Sequence, residues 1–80
     1  MIAQYHLGII RERQDHYEGA IACFEKVVEA NPDDASAHYH LGLNYERSGM
    51  DALAMSALTR ALQLDPSDEA AASALQELQR

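Results

Sequence analysis

The sequence predicts an all-α protein of five helices arranged as repeated helix-turn-helix units. Three observations carry this. First, Tyr5-His6-Leu7-Gly8 recurs as Tyr39-His40-Leu41-Gly42. Sliding the chain by 34 residues aligns ten identities: Ala3, Tyr5, His6, Leu7, Gly8, Glu12, Arg13, Ala20, Pro32 and Asp34 meet Ala37, Tyr39, His40, Leu41, Gly42, Glu46, Arg47, Ala54, Pro66 and Asp68. Unrelated sequences of ordinary composition give roughly two or three such matches. Second, the apolar residues recur with the 3.6-residue period of a helix, as in Tyr17, Ala20, Ile21, Phe24, Val27 and Val28. Third, Pro32 and Pro66 punctuate the chain one repeat apart, where no helix can continue.

Taken in order, the helices are expected at 2–14, 17–30, 35–48, 51–64 and 68–79. The first half of the second unit shows one stripe through His38, Leu41, Gly42 and Tyr45. Gln14-Asp15-His16 and Ser48-Gly49-Met50 separate the helices within each unit, and Gly49 is a good helix stop. Asn31-Pro32-Asp33-Asp34 and Asp65-Pro66-Ser67-Asp68 join the units. Asp33 and Ser67 are placed to cap the helices that follow, with Asp34, Asp68 and Glu69 favourable in the first turn. Units 1–34 and 35–68 are followed by 69–80, which begins a third copy: Leu75 aligns with Leu7 and Leu41, but Gln76 replaces the glycine.

The glycines explain the repeated tetrapeptide. Within a helix, Gly8 costs about 1 kcal/mol relative to Ala. Close backbone approach by the second helix compensates, with Ala20 and Ala54 as the expected facing residues and Leu7 and Leu41 beside the crossing.

Composition narrows the function. Thirteen acidic against six basic residues give a net charge of −7, which repels nucleic acid and anionic lipid. Basic or neutral partners fit better. No apolar run approaches the roughly 18 residues of a membrane span, and no signal peptide is visible. The expected location is cytoplasmic by default, although the chain could be a piece of something longer. Cys23 stands alone and cannot form an internal disulfide. It reads as a partly buried small hydrophobe on the shoulder of its helix.

The 34-residue unit with Leu-Gly, Ala, an aromatic and Pro resembles the tetratricopeptide repeat. The matching residues are Leu7-Gly8, Tyr17, Ala20, Phe24 and Pro32 in the first unit. In the second they are Leu41-Gly42, Tyr45, Gly49, Ala54, Leu58, Ala61 and Pro66. Gln4, Arg11, His38 and Asp51 depart from the pattern. The resemblance implies a right-handed superhelix of stacked units, with a C-terminal capping helix over 69–80 and a concave face built by the first helix of each unit. It also implies a protein-interaction role.

On a helical wheel, Leu7, Gly8 and Arg11 point toward the second helix. Ile2, Tyr5, His6, Ile9, Glu12 and Arg13 point roughly the other way, and Ser36, Tyr39, His40, Leu43, Glu46 and Arg47 are their counterparts. These twelve form the candidate binding face. Tyr supplies a rigid ring with a hydroxyl, and Arg a planar donor fork for carboxylates or carbonyls. Such a face suits an extended peptide or a partner helix. The plainer alternative is that the charges are solvated and the tyrosines fill space between units. A chaperone-tail-binding subtype of the family uses Lys and Asn on first helices. No Lys lies on a first helix here, and Asn44 falls off the groove face.

The sequence offers no catalytic or cofactor motif: no phosphate loop, nucleophile elbow or zinc signature. No histidine pair has metal-ligand spacing of i, i+4 on one helix. A basic recognition helix for DNA is absent. The expectation is a non-catalytic module, monomeric or weakly dimeric, that binds a protein or peptide without metal or cofactor. The alternative is a scaffold or oligomerisation segment that associates through the superhelix ends, where Ile2, Ile9 and Ile10 would mark the interface.

Overall fold

The structure is a computed structural model and describes residues 3–80. It consists of α1 (Gln4–Arg13), α2 (Tyr17–Ala30), α3 (Ala35–Arg47), α4 (Asp51–Leu64) and α5 (Glu69–Leu78). No strand occurs among the described residues. The helices pair antiparallel in sequence order, α1 on α2 and α3 on α4. Helix α3 also packs on α2, and α5 on α4. Stacking in series makes the molecule elongated, 38 × 24 × 17 Å.

The turns within the two pairs have the same hydrogen-bond pattern. After α1, the Asp15 amide donates to the Glu12 carbonyl at 3.0 Å and the His16 amide to the Arg11 carbonyl at 2.8 Å. After α3, Gly49 and Met50 donate to Glu46 and Tyr45 at 3.0 and 2.8 Å. This is the Schellman closure, which needs a left-handed residue just past the helix end. Gly49 meets that need at φ 80°, and Asp15 meets it at φ 61° despite its Cβ. The Asp15 carboxylate accepts a 2.8 Å hydrogen bond from the Tyr17 hydroxyl, which helps to hold this less favourable conformation.

The caps fall one residue later than expected from the sequence. Asp34 and Asp68 are the N-cap residues of α3 and α5, and each accepts from the backbone amide three residues on, Ala37 and Ala71, at 3.0 Å. Asp33 stays outside α3. The Ser67 hydroxyl turns back to donate to the Asp65 carboxylate at 2.7 Å. The reason is local: a cap must sit at the last non-helical position to reach an amide of the first turn, and the two-residue turn after Asn31 and Asp65 puts Asp34 and Asp68 there.

The core is a double layer. One cluster joins Ala20, Ile21, Phe24 and Val27 of α2 to Ala37 and Leu41 of α3 and Ala57 of α4. The other joins Leu58 and Ala61 of α4 to Ala71 of α5. Phe24 and Leu58 are fully buried, a contribution of about 2–3 kcal/mol each. The tight crossings involve these two residues more than the alanines. A Cβ at Gly8 would lie 2.8 Å from the Phe24 ring, and one at Gly42 would lie 2.5 Å from Leu58 Cγ, with the Ala54 carbonyl 3.3 Å away. The missing glycine side chain therefore makes room for a large buried neighbour. Ala20 and Ala54 are also fully buried, but they are not the first atoms met. Cys23 is buried too, at 6% exposure, deeper than its place on the shoulder of the stripe implies.

Candidate functional site

Helices α1 and α3 place most of the candidate residues side by side, and their exposure separates them into two groups. His6, Arg13, Ser36 and Arg47 are exposed, whereas Tyr5, Ile9, Glu12, Tyr39, His40, Leu43 and Glu46 are half-buried. Ile2 lies outside the described residues.

Tyr5 turns toward α3. Its hydroxyl shares a 2.6 Å hydrogen bond with Ser36 Oγ, and its ring stands edge-on to Phe24 at 5.5 Å and to His40 at 5.8 Å. The His40 ring in turn stacks flat on Phe24, with centroids 5.2 Å apart. Its Nδ1 reaches Glu12 Oε1 at 3.1 Å, a contact that requires a proton on that nitrogen. The Asn44 amide donates to the same Glu12 oxygen at 2.8 Å and to the His40 carbonyl at 2.7 Å. Asn44 is fully buried, and its Oδ1 has no hydrogen-bond partner. Glu12, His40 and Asn44 thus form a polar knot between the two helix pairs. Helix spacing explains the geometry: Asn44 lies one turn after His40, so both side chains meet the last turn of α1.

Asn44 is not expected at this junction from its residue type and helix position alone. Its counterpart one repeat earlier is apolar Ile10, but Ile10 is exposed, so the repeat does not mark this slot as buried.

Tyr39 packs on the second core cluster, against α5, and stands edge-on to His40 at 5.2 Å. Burial holds its phenol proton more firmly than usual, and the nearby Asp68 charge adds to that. Ile9 lies on the first core cluster. The rest of Ile9 and Tyr39, together with half-buried Leu43, leaves apolar surface uncovered on the same helices that carry Arg13 and Arg47. The Arg47 guanidinium sits 5.6 Å from the centre of the Tyr17 ring. Tyr17 was expected in the apolar stripe of α2; it is half-buried and uses its hydroxyl on Asp15.

A cavity of about 540 Å³ opens at the α1–α2 turn, lined by Asp15 through Gly19 together with Arg11 and Ser48. The aliphatic part of Arg11 lies over Gly19, whose Cβ would come within 2.7 Å of Arg11 Cδ. Arg11 therefore covers the first turn of α2 in place of the bulky residue that Tyr45 supplies on α3. The Tyr45 hydroxyl donates to the Glu25 carboxylate at 2.8 Å. Its phenol is pushed up to about 12, by burial first and then by that carboxylate.

The family profile for the tetratricopeptide repeat matches residues 5–69. The structure is similar to the crystal structure of a tetratricopeptide repeat domain protein from Salinibacter ruber, with 32% identity and a TM-score of 0.71. The alignment covers 95% of this chain and 84% of that one. No curated protein sequence matches the chain. Repeats of this kind are in general non-catalytic and mediate protein–protein interactions. Helix pairs, glycine crossings, repeat period and these comparisons agree: the chain belongs to the tetratricopeptide repeat family.

Proposed function

We propose that residues 1–34 and 35–68 act as two repeat units with 69–80 as a capping helix, and that this non-catalytic module receives a peptide or partner helix along α1 and α3. The observation that carries the reading is the uncovered surface of these helices. Half-buried Ile9, Tyr39 and Leu43 stand beside exposed Arg13 and Arg47, so apolar area and directional donors adjoin, as binding surfaces require. Tyr5, Glu12 and His40 act beneath that surface by fixing α1 against α3. The test is titration calorimetry against a partner recovered with the isolated chain. Tyr39→Ala and Arg47→Ala should each weaken binding by more than about 1 kcal/mol, with circular dichroism unchanged. Glu29→Ala, on α2, should be neutral. Wild-type affinity in both variants would refute the reading.

A second reading is favoured by Ile10, Met50 and Leu53, large apolar residues that are 45%, 42% and 52% exposed. In that case the module associates through its ends as a scaffold segment. Concentration-dependent sedimentation that is abolished by Ile10→Ser or Leu53→Ser would support it over the groove reading.

A further inference from the structure

We infer that the chain pairs with a second copy of itself across the edge that carries the α1–α2 and α3–α4 turns, with Leu53 of each copy seated in the cavity beside Gly19 of the other. The inference rests on the exposed apolar residues of the second reading and narrows that reading to one surface and one partner.

The two halves of the contact are the same slot of the repeat, filled differently. Gly19 and Leu53 are counterparts 34 residues apart, each the third residue of its helix, α2 or α4. In the first pair the slot has no side chain. The Arg11 stem lies over it, with Cδ 2.7 Å from where a Gly19 Cβ would stand. Beside it opens the cavity of about 540 Å³, lined also by Tyr17 and, from the neighbouring turn, by Ser48. In the second pair the slot holds a leucine that is 52% exposed. Met50, the N-cap residue three positions earlier, is exposed as well. Residues three apart share a helix face, so the two side chains form one apolar knob.

A hole and a knob in one slot of adjoining units are self-complementary. A two-fold axis lying in the contact plane, between the units and across the stacking direction, lays the knob of each copy on the hole of the other. Every contact then occurs twice. Docking takes Leu53 out of water against the Arg11 stem, Gly19 and the Tyr17 ring. The exposed carboxylates of Asp15 and Glu18 stay at the wet rim, as does the Arg11 guanidinium.

Charge favours this edge over the opposite one. Residues 11–19 and 45–53, around the turns within pairs, hold three arginines against five carboxylates, a charge of −2. Residues 25–36 and 59–70, around the links between units, hold two cations against seven carboxylates, a charge of −5. Glu77 and Arg80 cancel, which accounts for the net −7. A second copy that approaches the turn edge meets the smaller part of its own like charge.

Sedimentation velocity of the full chain over a concentration series reads the pairing. Wild type should form a dimer and nothing larger, because a two-fold contact closes. Leu53→Ala removes the knob and Gly19→Leu fills the hole. Each should weaken association at least tenfold, with circular dichroism unchanged. Mixing the two variants should restore the dimer, since both contacts of the mixed pair set a leucine against a small residue. Ile10→Ser, on α1, should have no effect. A monomer at every concentration overturns the inference and the second reading together. Association that survives both Leu53→Ala and Gly19→Leu overturns the inference; if Ile10→Ser abolishes that association, the second reading stands with its contact on α1. Assemblies larger than a dimer overturn the inference, and so does a mixture that stays monomeric. Should Gly19→Leu fail to fold, Leu53→Ala set against Leu53→Met decides. Only the alanine should weaken pairing, and equal association of the two overturns the inference.

Discussion

Tyr5 and Tyr39 are equivalent residues one repeat apart, as are Glu12 and Glu46, yet the two pairs meet different neighbours. Between α1–α2 and α3, Tyr5 bonds Ser36, and Glu12 bonds His40 and Asn44. Between α3–α4 and α5, the counterparts of Ser36, His40 and Asn44 are Ala70, Ala74 and Leu78. There Tyr39 packs on an apolar cluster that includes Ala74 and Leu78, and the Glu46 side chain makes no hydrogen bond or ion pair among the described residues. The same residue therefore fastens one junction and only lines the other. A repeated residue in a repeat protein does not imply a repeated role, because the role belongs to the pair of residues that meet. The first junction gains direction from its hydrogen bonds, at the cost of burying an amide oxygen that finds no donor.

The glycine crossings give the largest expected effect on this contrast, because they lie within helix pairs and both junctions depend on them. Gly42→Leu should destabilise by about 3 kcal/mol, since even its Cβ collides with buried Leu58 and the Ala54 carbonyl leaves little room for retreat. Gln63→Leu, on the exposed side of α4, should change stability by less than about 0.5 kcal/mol. Urea melts of both variants check this, and equal midpoints would show that the crossing is not tight.

Next in size is the comparison of the two glutamates. Glu12→Ala strands Asn44 and His40 and should cost about 1–3 kcal/mol. Glu46→Ala should cost less than about 0.5 kcal/mol. Similar values in chemical denaturation would mean that the polar knot contributes nothing beyond an ordinary charged residue.

Smaller still is the loss of one hydroxyl. Tyr5→Phe gives up the bond to Ser36 and should cost about 0.5–1 kcal/mol. Tyr39→Phe should stay within about 0.5 kcal/mol of wild type. Thermal melts of the two variants, measured together, decide whether the junctions differ in this way.

The smallest effect at neutral pH belongs to Tyr45, which bridges α3 to Glu25 of α2. The folded protein holds the phenol proton up to about 12, above its ordinary 10.0. The unfolded chain releases it first, so deprotonation favours unfolding. The stability contributed by this proton is intact below pH 10 and is lost as the pH rises toward 12. Tyr45→Phe should melt like wild type at pH 7 within about 0.5 kcal/mol. It should lose less stability than wild type between pH 10 and 12. Ultraviolet titration should lose its last-ionising phenol. An unchanged alkaline titration curve would show that Tyr45 is not the high-titrating group.

Much of this architecture was legible in the sequence. The five helices follow from the 3.6-residue period and the prolines, and the observed boundaries differ by at most two residues at either end of an expected helix. The glycines point to close approach, and Ala54 does face Gly42 through its carbonyl, but a wheel shows direction and not side-chain length, so Phe24 and Leu58 reach the crossings first. The caps differ from expectation by one residue because Asp33 and Asp34 are chemically equivalent on paper, and only the turn geometry selects Asp34. Asn44 was the clearest omission. A polar side chain on a helix reads as solvated until the neighbouring unit is in place, and its burial depends on a contact 32 residues away with Glu12. In the candidate face, residue types and period indicated which side chains share a helix surface. They did not indicate that Glu12 turns inward to His40 and Asn44.

Buried Cys23 has a consequence for kinetics. A thiol reagent reaches it only in molecules whose α2 has swung open, so its modification rate works as a clock for that opening. With dilute reagent the clock reads the equilibrium fraction open; with concentrated reagent it reads the opening rate itself. The chain has a single cysteine, so the signal has one source. Ala57 is the buried counterpart on α4. Cys23→Ala with Ala57→Cys would move the clock to the second helix pair. Two clocks running at one rate would mean that the molecule opens as a single body, and two rates would mean that one pair opens while the other stays shut.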